Sequence, residues 1–167
     1  MRFTIFQDSR QGDRSGNEDR IGYSYSRDVL LMVAADGMGG HEKGEVAAEI
    51  AVTEVTRLFQ QEARNKLRRP SDFLVSVINS AHRAIVSHAV AQNLLESPRT
   101  TCVVCIVQDG SAWWAHSGDS RLYVLRGGKL AAATQDHSRV QQMVDSGFVQ
   151  GTTANFEAFG IALRQLA

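Results

Sequence analysis

Residues 29–41 read Val29-Leu30-Leu31-Met32-Val33-Ala34-Ala35-Asp36-Gly37-Met38-Gly39-Gly40-His41, seven apolar residues that stop at an aspartate and run into a glycine-rich loop. The run Val29 to Ala35 reads as a buried strand, and it is far too short for a membrane span. A carboxylate therefore stands where a buried strand ends. Glycine beside that aspartate lets the backbone approach a ligand closely and allows the Gly37 carbonyl to face the same centre as the Asp36 carboxylate. Such oxygen donors suit hard cations, magnesium or manganese, at about 2.0–2.2 Å. The loop is no phosphate-cradling Walker loop, because no Lys followed by Ser or Thr stands in the required place.

Outward from this stretch, Phe3, Ile5 and the run Ile21 to Tyr25 show short alternation. On the other side, Val46, Ala47, Ile50, Ala51, Val55, Leu58 and Phe59 recur at helical spacing from Gly44 onward, with Glu45, Glu49, Glu54 and Arg57 on the polar face. The basic stretch Arg64, Lys66, Arg68, Arg69 reads as a solvated connector. After Pro70, Ser71 is expected to cap a second helix with the apolar set Phe73, Leu74, Val77, Ile78, Ala81, Ala84, Ile85 and Ala89.

Beyond Ser97-Pro98 the texture turns to strands: Thr101 to Val107, a turn at Asp109-Gly110-Ser111, Trp113 to Ser117, Arg121 to Arg126, a turn at Gly127-Gly128, and Lys129 to Ala133. A shorter helix is expected over Ser138 to Asp145, closed by Gly147, and residues 148–167 follow neither period. Cys102 and Cys105 lack a second pair or spaced histidines to complete a metal set. Their spacing of three puts them on opposite faces of a strand, so they read as core thiols.

The 167 residues form one domain by length, and 18 basic residues balance 18 acidic ones. A formal net charge of +0 supplies no global field toward nucleic acid or an anionic membrane, so recognition rests on a local site. Met1 to Asp8 lacks a signal-peptide core, and the expected location is cytoplasmic.

Four strings place charged groups at turns next to glycine or serine: Arg14-Ser15-Gly16-Asn17-Glu18-Asp19, Asp36 to His41, Gly118-Asp119-Ser120-Arg121, and Thr134-Gln135-Asp136-His137-Ser138. Alone, Glu18-Asp19 is a surface pair and Gly118-Asp119-Ser120 a tight turn. Asp109-Gly110, with no acidic neighbour, is a hairpin turn. In this order, with Thr100-Thr101 ahead of a strand, the strings resemble the metal-dependent serine/threonine protein phosphatases of the PPM or type 2C class, in their bacterial version. The likeness runs from about Gly12 to Gly147, and Asp-Gly-Met-Gly-Gly-His after a hydrophobic strand is its most specific element.

That resemblance implies an α+β fold, an α/β/β/α sandwich of two antiparallel sheets flanked by helices, with a two-metal site in a cleft at one end of the sheets. Carried over by residue, Asp36 is expected to bridge two Mn²⁺ or Mg²⁺ ions and Gly37 to supply a carbonyl ligand. Asp119 matches the acid that helps hold a third, weaker ion in some members. Glu18 and Asp19 match groups that orient the ions' waters, and Arg14 matches the arginine that grips the substrate phosphate. His41 is the candidate for proton transfer through water, because Met38 stands where some relatives carry histidine. His82, His88, His116 and His137 read as structural. The implied partner is a phosphorylated protein, opposing a serine/threonine kinase.

The resemblance also leads one to expect a later Ser-Asp-Gly string and a final Asp-Asn before a strand. Neither occurs: the aspartates after Asp119 are Asp136 and Asp145. Residues 1–167 therefore read as a single, incomplete phosphatase domain, truncated at its C-terminal end, with 148–167 a poorly matching tail. A site short of two carboxylates is expected to hold metal weakly and turn over slowly. The alternative is a catalytically silent phosphatase-like module that binds phosphoprotein or a regulatory partner.

Overall fold

The computed structural model describes residues 1–38 and 43–137, and the backbone of a strand at 160–163. In chain order the elements are β1 (Asp19–Tyr25), β2 (Val29–Asp36), α1 (Gly44–Glu62), α2 (Pro70–Ala91), β3 (Cys102–Gln108), β4 (Ser111–Ser117), β5 (Arg121–Arg126), β6 (Lys129–Ala133) and β7 (Gly160–Leu163). One sheet runs β1-β2-β3-β4 with every neighbour antiparallel; the other runs β6-β5-β7. Within the second sheet β5 and β6 form an antiparallel hairpin, and β7 joins parallel to β5.

The seven-residue apolar run is the first sheet's central strand because it is covered twice. Val29, Leu31, Val33 and Ala35 face α1 and α2, packed with Phe59, Phe73, Val55 and Val77. Leu30, Met32 and Ala34 face the other way, against Val103, Cys105 and Leu122 of β5, with Phe3 and Ile5 alongside. A strand with two hydrophobic faces cannot alternate, which explains its unbroken apolar texture. The alternation at Phe3 and Ile5 does not mark a strand; these side chains instead close the second cluster.

The helix reading holds, with one correction. Pro70 occupies the first turn of α2 and Arg69 is its N-cap residue, so Ser71 lies inside the helix instead of capping it. Proline suits this place because its missing N–H is one that a first turn leaves unbonded and its φ is already helical. The basic connector is pinned from beneath. Buried Leu67 donates its N–H to Gln108 Oε1 at 2.8 Å and accepts from Gln108 Nε2 at 3.1 Å. Both hairpin turns use positive φ, Asp109 (53°) with Gly110 (73°) and Gly127 (58°) with Gly128 (75°), as two-residue turns between twisted strands require.

Cys102 joins the helix-facing cluster and Cys105 the opposite one, so the two thiols point to different faces of β3. Burial pushes both thiols up to about 12. Iodoacetamide at pH 8 is therefore expected to leave both unmodified in the native chain and to alkylate both in denaturant; native labelling at either within minutes would contradict this packing. The expected helix over Ser138 to Asp145 lies outside the described residues. In the stretch read as tail, β7 is a four-residue strand, too short to show a period in sequence.

Candidate metal centre

Antiparallel pairing of β1 with β2 sets Asp19 directly opposite Asp36. Like charges in that relation repel across a ladder, so the register itself calls for a cation or a shared proton. Asn17 Oδ1 accepts the Asp19 N–H at 2.9 Å and fixes the entry into β1. Glu18 arrives through its backbone, its carbonyl accepting the Gly37 N–H at 3.3 Å. Asp119 comes from a third segment, the turn between β4 and β5, where Gly118 has φ +101°.

Three of these acids act on the fourth, Asp36. Asp36 is the only exposed residue of β2, yet the protein crowding its carboxyl removes enough solvent, and Asp19, Asp119 and Glu18 add enough negative charge, to push it up to about 6. Asp19 also shares a side-chain hydrogen bond with it. Among the described residues, Glu18 Oε2 is buried without a hydrogen-bond partner. It lies against the Cα of Gly44, where any Cβ would collide with it. The same cradle shapes Gly37, whose Cβ would stand 2.5 Å from the Gly44 carbonyl. Only glycine allows β2, the start of α1 and the entry to β1 to meet this closely.

The donor chemistry fits a hard divalent cation: carboxylates from three segments, an unsatisfied buried carboxylate oxygen, and a Gly37 carbonyl that accepts no hydrogen bond among the described residues. No three His, Cys, Asp or Glu side chains among the described residues are close enough together to hold an ion by themselves. Magnesium and manganese accept such a loose set by keeping several waters.

The backbone of Asp36 is held by hydroxyls. Its carbonyl accepts from the Thr101 N–H and from Thr100 Oγ1, each at 2.8 Å, and its N–H donates to Thr101 Oγ1 at 3.0 Å. These residues were legible only as a Thr-Thr pair before a strand; their hold on the end of β2 depends on the β2–β3 register, which no local pattern displays. Asp136 does not join the cluster, because it forms a two-pronged pair with Arg121, both contacts 2.6 Å. His137 braces a loop: its N–H donates to the Gly118 carbonyl at 2.9 Å and its ring stacks on His116, centroids 4.2 Å apart.

Arg14 is placed in the turn ahead of β1. That turn closes on Gln11, whose side chain donates to the Arg14 carbonyl at 2.6 Å. Its guanidinium makes no hydrogen bond or ion pair among the described residues, so Arg14 is near the acids in sequence without touching them. His41 lies outside the described residues.

In a helix-backed pair of sheets, acids from three segments converge toward the end of the central strand, a donor set of the kind that suits hard cations. The chain belongs to the protein phosphatase 2C family, whose model matches residues 7–155. It is 36% identical over 134 residues to the serine/threonine protein phosphatase PstP of Mycobacterium tuberculosis, covering 80% of this chain and 25% of that protein. It is 31% identical over 164 residues to the serine/threonine phosphatase stp of Listeria innocua, covering 96% and 65%. Among solved structures, a bacterial serine phosphatase superposes with a TM-score of 0.78 at 31% identity, over 86% of this chain and 59% of that one. The catalytic domain of PstP in complex with 2 manganese ions gives 0.63 at 33% identity, over 82% and 56%. The chain thus spans less than two thirds of the length of these relatives.

Proposed function

We propose that this chain is a protein serine/threonine phosphatase that hydrolyses phosphoserine and phosphothreonine at a dinuclear Mn²⁺ or Mg²⁺ centre, in one domain. The observation that carries the reading is the gathering of Asp19, Glu18 and Asp119 around the Asp36 carboxyl. Asp36 would bridge the ions with the Gly37 carbonyl beside it, Glu18 and Asp19 would orient waters, and Asp119 would help hold a third, weaker ion. When bound, the ions supply an activated water and neutralise charge on the phosphoryl oxygens. Arg14, whose guanidinium has no partner among the described residues, is the group available to fork onto the substrate phosphate. His41 is the candidate to pass a proton to the leaving hydroxyl through water. The manganese in the related PstP structure supports the choice of ion. The substrates would be phosphoproteins of a serine/threonine kinase. Among the described residues no helix is long and apolar enough to cross a membrane.

The proposal includes weak metal retention by residues 1–167, since the two later aspartates of the family pattern do not occur in them. Phosphate release from a phosphothreonine peptide in millimolar manganese tests it. Turnover should stop with EDTA and should be faster in a chain extended through those two motifs. Equal rates for the two chains would remove the assigned ligand deficit. Arg14→Ala should raise KM several-fold with little change in kcat, because a phosphate clamp acts on ground and transition states alike. An unchanged KM would take Arg14 out of the site. Catalytic silence of the extended chain with retained phosphopeptide binding would favour the module reading.

A further inference from the structure

One buried hydroxyl joins two acid-bearing segments, those of Asp36 and Asp119, that lie 83 residues apart in sequence. Thr101 is 2% exposed, and its Oγ1 accepts the Asp36 N–H at 3.0 Å. The same oxygen stands 2.5 Å from Ser120 Oγ, in the turn that carries Asp119. The Thr101 N–H holds the Asp36 carbonyl at 2.8 Å, so this residue grips both polar groups of the Asp36 backbone. Its methyl supports the far side: a Cβ on Gly118 would stand 2.7 Å from Thr101 Cγ2, so the turn rests directly on that carbon.

We propose that Thr101 and Ser120 form a positioning latch that sets the separation of Asp36 from Asp119 without touching cation or substrate. The Asp36 N–H already occupies one lone pair of Thr101 Oγ1. The remaining hydroxyl capacity is shared with Ser120, and one of the two hydroxyls donates to the other. Breaking the latch at Thr101 takes the acceptor from the part-buried Asp36 N–H and frees the turn, whereas breaking it at Ser120 frees the turn alone. This rests on the metal-centre reading only for its effect on cation affinity; the latch itself is a hydrogen-bond arrangement that exists without the ion.

The test uses the full 167-residue chain, Mn²⁺ alone as titrant in calorimetry, and amide hydrogen exchange by NMR without metal. Thr101→Val keeps shape and loses the hydroxyl. Thr101→Ser keeps the hydroxyl and loses the methyl. Ser120→Ala cuts the far half. Thr101→Val is expected to weaken Mn²⁺ about tenfold or more, the scale on which outer groups tune metal sites, and Thr101→Ser to stay within about threefold of wild type. Without metal, Thr101→Val should speed exchange at least about fivefold of both the Asp36 amide, which loses its acceptor, and the His137 amide, which donates to the Gly118 carbonyl of the freed turn. Ser120→Ala should speed the His137 amide alone, and this smaller change at a part-buried hydroxyl keeps the latch testable if Thr101→Val fails to fold.

Failure of Thr101→Ser to rescue would assign the effect to packing and overturn the latch. Unchanged His137 amide exchange in Ser120→Ala would overturn it as well. If the wild-type chain takes up no manganese, the metal reading fails, and the exchange data decide the latch by themselves.

Discussion

Asp36→Asn should abolish manganese binding and, in EDTA at pH 7.5, should melt higher than the wild type. Asparagine is nearly the same shape and carries no charge, so it removes the carboxylate that Asp19, Asp119 and Glu18 oppose. The sign follows from the shift. The Asp36 carboxyl is held near 6 in the fold against 3.8 ordinarily, so as pH rises the unfolded chain releases its proton first. Stability from this group is therefore lost between about pH 4 and pH 6 and stays lost above. The variant has nothing to lose, and its advantage of roughly 2–4 °C at pH 7.5 should vanish near pH 4. Millimolar manganese should reverse the order, because only the wild type gains the stabilisation that a ligand gives the native state. Melting curves in EDTA and in manganese at both pH values check all of this. A wild type that melts above Asp36→Asn in EDTA at pH 7.5 would show that the acids do not crowd.

Gly37→Ala carries the largest structural penalty expected here. The added methyl would sit 2.5 Å from both the carbonyl carbon and oxygen of Gly44 and 2.9 Å from the Glu18 carbonyl. All three are backbone atoms, so no side chain can swing aside. Overpacking of this kind costs about 1–3 kcal/mol, a fall in Tm of roughly 2–12 °C in a chain of this size. Relief requires Gly37 to leave the Glu18 carbonyl that its N–H binds at 3.3 Å, so the acids separate and manganese affinity should fall with stability. Gly16→Ala is the control, since a Cβ there meets nothing within 4 Å. Equal melting of the two variants would mean the cradle is looser than described.

Much of this was readable before any coordinates. A seven-residue apolar run bounded by Asp36-Gly37 reads as a buried strand, and its cover on both faces is what the structure adds. The two helices announce themselves through spacing, and the hairpins through Asp109-Gly110 and Gly127-Gly128. The acids were legible as candidates because each stands at a strand end or turn. Their meeting was not, since it depends on the Asp19–Asp36 register and on a turn 83 residues from Asp36 in sequence. The Ser71 cap failed because a proline one position earlier starts a helix more cheaply than a serine caps it. The hydroxyl contacts of Thr101 and Ser120 left no periodic trace at all. Side chains that bond across segments are fixed by tertiary register, which short-range patterns do not encode.

Anomalous diffraction at the manganese edge, from crystals of the chain grown in millimolar MnCl₂, tests the central claim most directly. A peak bounded by the Asp36 carboxylate, the Gly37 carbonyl, Asp19 and Asp119 is the result expected. Crystals that hold manganese only elsewhere, or show no peak among these four residues, would contradict the metal centre.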